Sequence, residues 1–100
     1  MTLSEHYKTI LKRYFADRPV KKAYIFGSYA RNEANGESDL DILVELDHSS
    51  PIGMRFFTFK YELEEVLKKK VDLVSSEALS KHILPFVDKD KILIYERDDH

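Results

Sequence analysis

Two aspartates separated by one residue stand at the start of an apolar stretch in the first half of the chain. Asp39 and Asp41 lie on either side of Leu40 in the segment Ser-Asp-Leu-Asp-Ile-Leu-Val. Because successive side chains of a strand point to opposite faces, both carboxylates are expected on one face of a β-strand. Two negative charges that close repel unless a cation lies between them, which indicates a site for a hard divalent ion. The alternative is a pair of solvated residues at a strand start, where aspartate is common near turns.

A glycine and a serine follow the preceding apolar stretch and could bind phosphate. Gly27 and Ser28 come directly after Phe26, where a strand is expected to end and a short helix to begin. The N–H groups and the positive end of such a helix suit phosphate oxygens, and glycine lets the backbone approach closely. Arg31, one helical turn further on, could bind a phosphate or pair with a nearby acid. We predict that Gly27, Ser28 and Arg31 bind nucleotide phosphates; the alternative for the Gly-Ser pair is a plain turn.

A third aspartate occurs in a later apolar segment. Asp72 is flanked on both sides by apolar residues, where an unpaired charge would be costly to bury. A metal site shared with Asp39 and Asp41 would explain this position. A salt bridge to one of Lys68–Lys70, or an exposed position at the strand entrance, would explain it equally well.

Three carboxylates on adjacent strands suit phosphoryl transfer assisted by two metal ions. One ion would orient the attacking hydroxyl, and the other would bind a nucleoside triphosphate and neutralise the leaving pyrophosphate. In this interpretation Asp39 and Asp41 bridge the two ions, and Asp72 binds the ion beside the nucleophile. These three aspartates are the predicted catalytic and metal-binding residues.

The spacing of apolar residues predicts a mixed order of helices and strands. Three- and four-residue spacing indicates helices, and β-branched or aromatic runs indicate strands. Thr2 and Glu5 form a candidate capping box before the first helix. The predicted elements are a helix from Leu3 to Phe15, a strand from Val20 to Phe26, a short helix from Tyr29 to Glu33, a strand from Asp39 to Leu46, a helix from Gly53 to Leu67, a strand from Val71 to Val74, a helix from Glu77 to Asp90 broken at Pro85, and a strand from Ile92 to Tyr95. This order indicates an α/β or α+β fold, with one domain over residues 1–100 and a small mixed sheet of about four strands with helices packed on one face.

Composition limits the class of protein. A length of 100 residues with 43% hydrophobic content is enough for one compact domain. Sixteen basic and eighteen acidic residues give a net charge of -2, which lacks the basic footprint of proteins that bind nucleic acids. The absence of cysteine excludes disulfides and fits a reducing compartment, and no apolar run reaches the roughly 20 residues of a membrane span. We therefore expect a cytoplasmic protein that binds neither membranes nor nucleic acids directly.

Apolar residues also occupy a second side of the predicted helix after Gly53. Met54, Phe57 and Tyr61 lie on a flank next to the stripe that should face the core. This flank could be an interface with another protein, or Phe57 and Tyr61 could pack under the first or last helix. We favour the second arrangement, because a small domain uses aromatic residues wherever it can.

Together these motifs resemble the polymerase-beta-like nucleotidyltransferase superfamily. Phe-Gly-Ser-Tyr-Ala-Arg is followed by Asp-x-Asp, with ten residues between the serine and the first aspartate, and later by Val-Asp-Leu-Val; the resemblance covers about residues 20–95. At this length the chain is similar to the minimal nucleotidyltransferases, the antitoxin-like partners of HEPN-domain proteins. The resemblance implies the fold of that superfamily, Mg²⁺ bound by Asp39, Asp41 and Asp72, ATP as the donor and transfer of AMP.

One position departs from the family pattern. Asn32 follows Arg31 where the family commonly has glycine. Asparagine is the non-glycine residue that best tolerates a left-handed backbone. We therefore expect the turn to be kept.

For the antitoxin branch, the resemblance implies AMP transfer to a tyrosine of a HEPN ribonuclease toxin within a hetero-oligomer. An alternative is an antitoxin without catalysis, which neutralises its HEPN partner by binding. A third possibility is a small-molecule acceptor such as an aminoglycoside, or RNA. Such acceptors usually need an additional domain to hold them, and we expect no segment for one in a chain of this length.

Overall fold

A computed structural model of the chain describes residues 4–35, 38–49 and 51–97. The strands in these ranges are β1 (Val20–Phe26), β2 (Leu40–Leu46), β3 (Val71–Ser75) and β4 (Ile92–Glu96). They form one sheet in the order β3-β2-β1-β4, in which β1 is antiparallel to β2 and β4 while β2 and β3 are parallel. The predicted small mixed sheet is confirmed.

The helices that accompany this sheet are α1 (Glu5–Ala16), α2 (Gly27–Ala30), α3 (Arg55–Leu67) and α4 (Leu84–Asp90). Helices α1 and α3 contact each other and the sheet, and α2 contacts α4. Within the described ranges, no helix combines the length and the hydropathy that a membrane span requires.

The hydrophobic core lies between the sheet and helices α1 and α3. Leu40, Ile42 and Val44 of β2 are completely buried, because alternation turns all three to the face that the helices cover. The helices contribute buried side chains at three- and four-residue spacing, namely Leu11, Tyr14 and Phe15 from α1 and Phe59, Leu63 and Leu67 from α3. Burial of an apolar side chain of this size contributes about 1.5 to 3 kcal/mol, so these stripes fix which face of each helix meets the sheet.

The opposite face of the sheet carries the acidic side chains of β2. Asp41 and Glu45 alternate with the core residues and therefore point away from α1 and α3. Leu43 lies on this second face and is buried outside the main core cluster, as is Val87 of α4. Val87 lines a cleft together with Phe26, the residue of β1 that pairs with Asp41. Helix α4 therefore lies against this second face, close to Asp41, so the prediction that the helices pack on one face holds for α1 and α3 but is wrong for α4.

The first helix begins differently from the prediction. Ser4 is its N-cap, and the Ser4 hydroxyl accepts a hydrogen bond of 3.2 Å from the N–H of Tyr7. Glu5 is the first helical residue, so the capping box predicted for Thr2 and Glu5 is wrong. Thr2 and Leu3 themselves lie outside the described residues.

The last helix is shorter than predicted because Pro85 starts it instead of breaking it. In place of the first part of the predicted helix from Glu77 to Asp90, the structure has a 3₁₀ turn (Ser76–Ala78) and an irregular connection. Pro85 lies in the first turn of α4, where its missing N–H would have no acceptor within the helix.

The apolar flank of α3 is not packed under another helix. The exposed fractions of Met54, Phe57 and Tyr61 are 76%, 58% and 65%. The favoured prediction of a packed flank is therefore wrong. Helix α3 packs against the sheet through the side that carries Phe59 and Leu63. Because only one side of a helix can face a sheet, the flank with Phe57 and Tyr61 stays exposed.

Candidate active site

The end of the sheet where β2 and β3 begin brings the three predicted aspartates close to one another. The parallel register pairs Asp41 of β2 with Asp72 of β3, and Leu40 with Val71. Asp39 precedes β2 instead of lying within it, so the predicted strand is one residue too long at this end. Since Asp39 adjoins the Leu40–Val71 pair, its carboxylate lies at the same end of the sheet as the other two.

The three carboxylates differ in exposure. Asp41 is partly buried, whereas Asp39 and Asp72 are exposed. Burial raises the pKa of Asp41 to about 6, with further increases from the negative charges of Asp72 and Asp39, while Arg31 opposes the shift. A cation between the carboxylates would relieve this repulsion, so the donor set fits a hard divalent ion with oxygen ligands.

Asp72 is exposed instead of being enclosed by its apolar neighbours. Strand β3 is at the edge of the sheet, and its alternation turns Val71 and Leu73 to the core while Asp72 points away. Of the alternatives, an exposed position near the strand entrance is the one observed. The pairing with Asp41, and not burial, is therefore what links Asp72 to the other two aspartates.

A complete coordination sphere is not formed in the structure. Among the described residues, no group of three or more His, Asp or Glu side chains is arranged to hold a metal ion. Asp39 and Asp72 are exposed, so their side chains have room to adopt other rotamers. The roles of Asp39, Asp41 and Asp72 as metal ligands remain a prediction. It is based on the oxygen donors that these residues supply and on the negative charges of Asp39 and Asp72 near Asp41.

Gly27 brings the backbone of the predicted phosphate-binding turn against Asp41. Its φ of +71° lies in the left-handed region, which residues with a Cβ rarely adopt. A Cβ at this position would also overlap Oδ2 of Asp41. Both the backbone conformation and the close approach therefore require glycine, and the two predicted motifs are in direct contact.

Helix α2 begins at Gly27, two residues before the start predicted at Tyr29, and forms a single turn. In the described part of the chain, no side chain caps the first N–H groups of α2, and none hydrogen-bonds to the hydroxyl of Ser28. Because so short a helix has only a small dipole, phosphate affinity would come from these N–H groups and the hydroxyl instead.

Arg31 pairs with two carboxylates in this structure. Its Nε lies 3.1 Å from Oε2 of Glu33, and its Nη1 lies 3.0 Å from Oδ2 of Asp90. Arg31 and Asp90 line a cleft of about 190 Å³ next to Gly27. The alternative of pairing with an acid is therefore observed, and phosphate binding by Arg31 would require exchange of these partners. Sequence reasoning missed Asp90, because no local pattern links residues that far apart in the chain.

The turn after Arg31 is kept with asparagine in place of glycine. Asn32 has a φ of +60°, and its N–H donates a hydrogen bond of 3.3 Å to the carbonyl of Tyr29. The expectation that asparagine preserves a left-handed turn here is confirmed.

Comparison with known families agrees with this geometry. A model of the family described as Polymerase beta, Nucleotidyltransferase matches residues 6–100. The chain belongs to this nucleotidyltransferase family. The resemblance drawn from the Gly-Ser and Asp-x-Asp motifs is confirmed, as are the predicted fold and the enzyme class.

Relatives of this nucleotidyltransferase include archaeal proteins of similar length. The protein adenylyltransferase MntA of Thermococcus cleftensis is 33% identical over 92 residues, which cover 92% of this chain and 88% of the relative. A candidate protein adenylyltransferase of Methanocaldococcus jannaschii is 46% identical over 74 residues, or 74% of this chain and 73% of the relative.

Among solved structures, this nucleotidyltransferase is similar to a chain from the complex of a tri-AMPylated Shewanella oneidensis HEPN toxin with its MNT antitoxin. The TM-score is 0.73 at 18% identity, and the match covers 95% of this chain and 74% of the other. At that identity the likeness shows a shared fold.

Proposed function

We propose that this nucleotidyltransferase transfers AMP from ATP to a hydroxyl of a HEPN-family ribonuclease toxin and thereby acts as its antitoxin. The observation that carries the proposal is the contact between Gly27 and Asp41. A turn suited to phosphate and a pair of like-charged carboxylates, Asp41 and Asp72, meet at one end of the sheet. A nucleoside triphosphate with its metal ions needs that combination of groups.

The residues of the chain would divide the work as follows. The N–H groups at Gly27 and the hydroxyl of Ser28 would hold the outer phosphates, which orients the α-phosphate toward the aspartates. Asp39, Asp41 and Asp72 would hold two Mg²⁺ ions, which when bound supply positive charge for the triphosphate and the acceptor oxygen. The acceptor oxygen would form a bond to the α-phosphorus while the bond to pyrophosphate breaks. Asp72, at the exposed edge strand, is positioned to receive the proton of an approaching hydroxyl.

The acceptor and the donor are inferred from relatives. Two relatives are named for protein adenylyl transfer, and a structural neighbour forms a complex with an AMPylated HEPN toxin. AMP as the transferred group, ATP as the donor and a HEPN protein as the partner are the choices consistent with those names. A tyrosine as the acceptor residue follows from the family resemblance. The proposal implies a cytoplasmic hetero-oligomer with its protein acceptor and no nucleic-acid partner.

ATP labelled at different phosphates tests the reaction type. The chain would be incubated with Mg²⁺ and a HEPN-family protein as the candidate acceptor, with the label on either the α- or the γ-phosphate of ATP. Adenylyl transfer predicts that the acceptor becomes labelled by α-labelled ATP. It should stay unlabelled with γ-labelled ATP, because the γ-phosphate leaves in pyrophosphate. Retention of the γ label would mean phosphoryl transfer and would refute the proposal.

A second candidate function is neutralisation by binding alone. The ion pairs of Arg31 with Glu33 and Asp90 favour it, because they occupy a side chain that would otherwise bind a phosphate. The double substitution Asp39→Ala and Asp41→Ala separates the two functions. If the variant binds the HEPN protein but no longer protects cells from it, the binding-only function is excluded.

A further inference from the structure

A cluster of lysines surrounds an open depression at the C-terminal end of α3. This lysine cluster consists of Lys60, Lys68, Lys69 and Lys70, and the depression has a volume of about 610 Å³. Among the described residues, Glu64 is the one acid that lines it. The cluster is a local excess of positive charge on a chain whose net charge is -2.

The acid in this depression already has other partners. Oε2 of Glu64 accepts a hydrogen bond of 2.9 Å from the N–H of Val71 and lies 4.0 Å from Nζ of Lys60. Within the described part of the chain, no carboxylate forms an ion pair with any of Lys68–Lys70. Three consecutive ammonium groups are thus available to an external anion.

The lysine cluster lies beside the aspartates of the candidate active site. The N–H of Leu40 donates a hydrogen bond of 2.9 Å to the carbonyl of Lys70, so the lysine turn adjoins the residue that follows Asp39. Nζ of Lys69 lies 5.1 Å from the ring centroid of Tyr29 in α2. A molecule bound to the lysines would therefore extend toward the aspartates.

Lys68 has a backbone conformation that is unfavourable for a residue with a side chain. Lys68 follows the last residue of α3 with a φ of +55° and a ψ of 43°, the left-handed conformation for which glycine is the favoured residue. A lysine there is more strained than a glycine would be. Residues held in such conformations often serve function, which fits a lysine whose charge is used.

We infer that the lysine cluster binds an acidic segment of the protein that carries the acceptor hydroxyl. This inference rests on the proposed function and adds the surface by which the acceptor is recognised. Charge complementarity supports it, because unpaired ammonium groups next to a reaction site attract carboxylates and orient what they belong to. The acidic segment docks on the lysine cluster while the hydroxyl of the same acceptor protein reaches Asp72, two residues beyond Lys70.

A protein segment fits this surface better than RNA does. A nucleic acid carries a phosphate at every step, so a strand that crossed from the lysines to Asp39 and Asp72 would compete with the triphosphate for the cations that neutralise these carboxylates. A protein presents acidic residues at one place and a neutral hydroxyl at another. It therefore matches a surface on which positive and negative groups lie side by side.

Charge reversal tests this surface against a matched control. The test variant is Lys69→Glu with Lys70→Glu, and the control is Lys12→Glu with Lys21→Glu, which changes the net charge equally on exposed residues of α1 and β1. We expect the KM for the HEPN acceptor to rise about tenfold or more in the test variant. The KM for ATP and the kcat should change by less than about twofold, and the control should behave like the wild type.

The neutral variant Lys69→Gln with Lys70→Gln guards against misfolding, and we expect an intermediate rise of the acceptor KM. An unchanged acceptor KM in both lysine variants, or a rise confined to the KM for ATP, would overturn the inference. The inference would also be overturned if a single-stranded RNA probe bound in a way that depends on these lysines while the acceptor KM did not depend on them. Failure of the proposed function can be told apart from failure of this inference. In the first case the wild-type chain would transfer no AMP, but the Kd values of the wild type and the lysine variants for the HEPN protein would still measure docking. Absence of both transfer and binding would overturn both proposals.

Discussion

The ionised carboxylate of Asp41 destabilises the folded state. The pKa of this carboxyl is 3.8 in the absence of perturbation, and burial together with the charges of Asp72 and Asp39 raises it to about 6. The folded state therefore binds this proton more tightly than the unfolded chain does, and ionisation destabilises the fold. The cost is absent below about pH 4, grows with pH, and is fully present above about pH 6 to 7. A bound cation would offset it.

Replacement of Asp41 by asparagine should therefore stabilise the metal-free protein. At about pH 7.5 we expect the free energy of unfolding to rise by about 1 kcal/mol, after allowance for solvent screening of a partly exposed group. At about pH 4.5 the folded carboxyl is protonated while that of the unfolded chain is still mostly ionised, so the gain should fall to about a third of its value at the higher pH. Urea unfolding in the presence of EDTA at both pH values measures the difference. The control Glu65→Gln removes a charge from an exposed position on α3 and should give no such gain. Equal gains from the two variants would contradict this explanation.

Gly27 should tolerate no side chain. In Gly27→Ala the added Cβ meets both an unfavourable φ and the carboxylate of Asp41, so we expect a loss of about 2 to 3 kcal/mol in the free energy of unfolding and of nearly all AMP transfer. Gly53→Ala is the matched control: its φ is +49°, but a Cβ there has no neighbour within 4 Å. Thermal unfolding should show a loss of only about 1 kcal/mol for the control. Similar losses in the two variants would show that the contact with Asp41 has no effect.

Elements defined by local signals were predictable from the sequence. The predicted bounds of β1, Val20 to Phe26, agree with the structure, because a segment that contains Val20 and the apolar run from Ala23 to Phe26 lies between Pro19 and Gly27. The prediction at Pro85 failed because proline both breaks a helix and starts one, and only the tertiary structure determines which.

Relations between elements were not predictable in the same way. The spacing of Asp39 and Asp41 is visible in the sequence because it lies within one segment. The pairing of Asp41 with Asp72 and the edge position of β3 depend on contacts between distant segments, which no local pattern encodes. The exposure of Phe57 was missed for the same reason, since helical spacing alone does not tell which of two apolar flanks meets the sheet.

The end of α3 offers a test of strain against function. Lys68→Gly should raise the free energy of unfolding by up to about 1 kcal/mol, because glycine adopts the left-handed conformation at this position without strain. Lys70→Gly is the control, because the φ of Lys70 is not positive. This variant should have a lower free energy of unfolding than the wild type, since glycine gives the unfolded chain more conformational freedom. Urea unfolding of the two variants measures the difference. A loss of stability in Lys68→Gly would refute the assignment of strain there.

Across the whole molecule, the two faces of the sheet have separate tasks. One face is covered by α1 and α3 and supplies the core, while the other holds Asp41 at the end where β2 and β3 begin. The lysine cluster adjoins this end, so the described residues present a donor site and a charged surface next to each other. A protein acceptor would complete the arrangement by bringing the hydroxyl.

The most direct test of adenylyl transfer is the intact mass of a HEPN-family acceptor protein after incubation with this chain, ATP and Mg²⁺. The same incubation with the Asp39→Ala, Asp41→Ala variant is the control. We predict that the acceptor gains the mass of one or more adenylate units with the wild-type chain and none with the variant. A stable complex of the two wild-type proteins in which the acceptor gains no mass would contradict catalysis and favour neutralisation by binding.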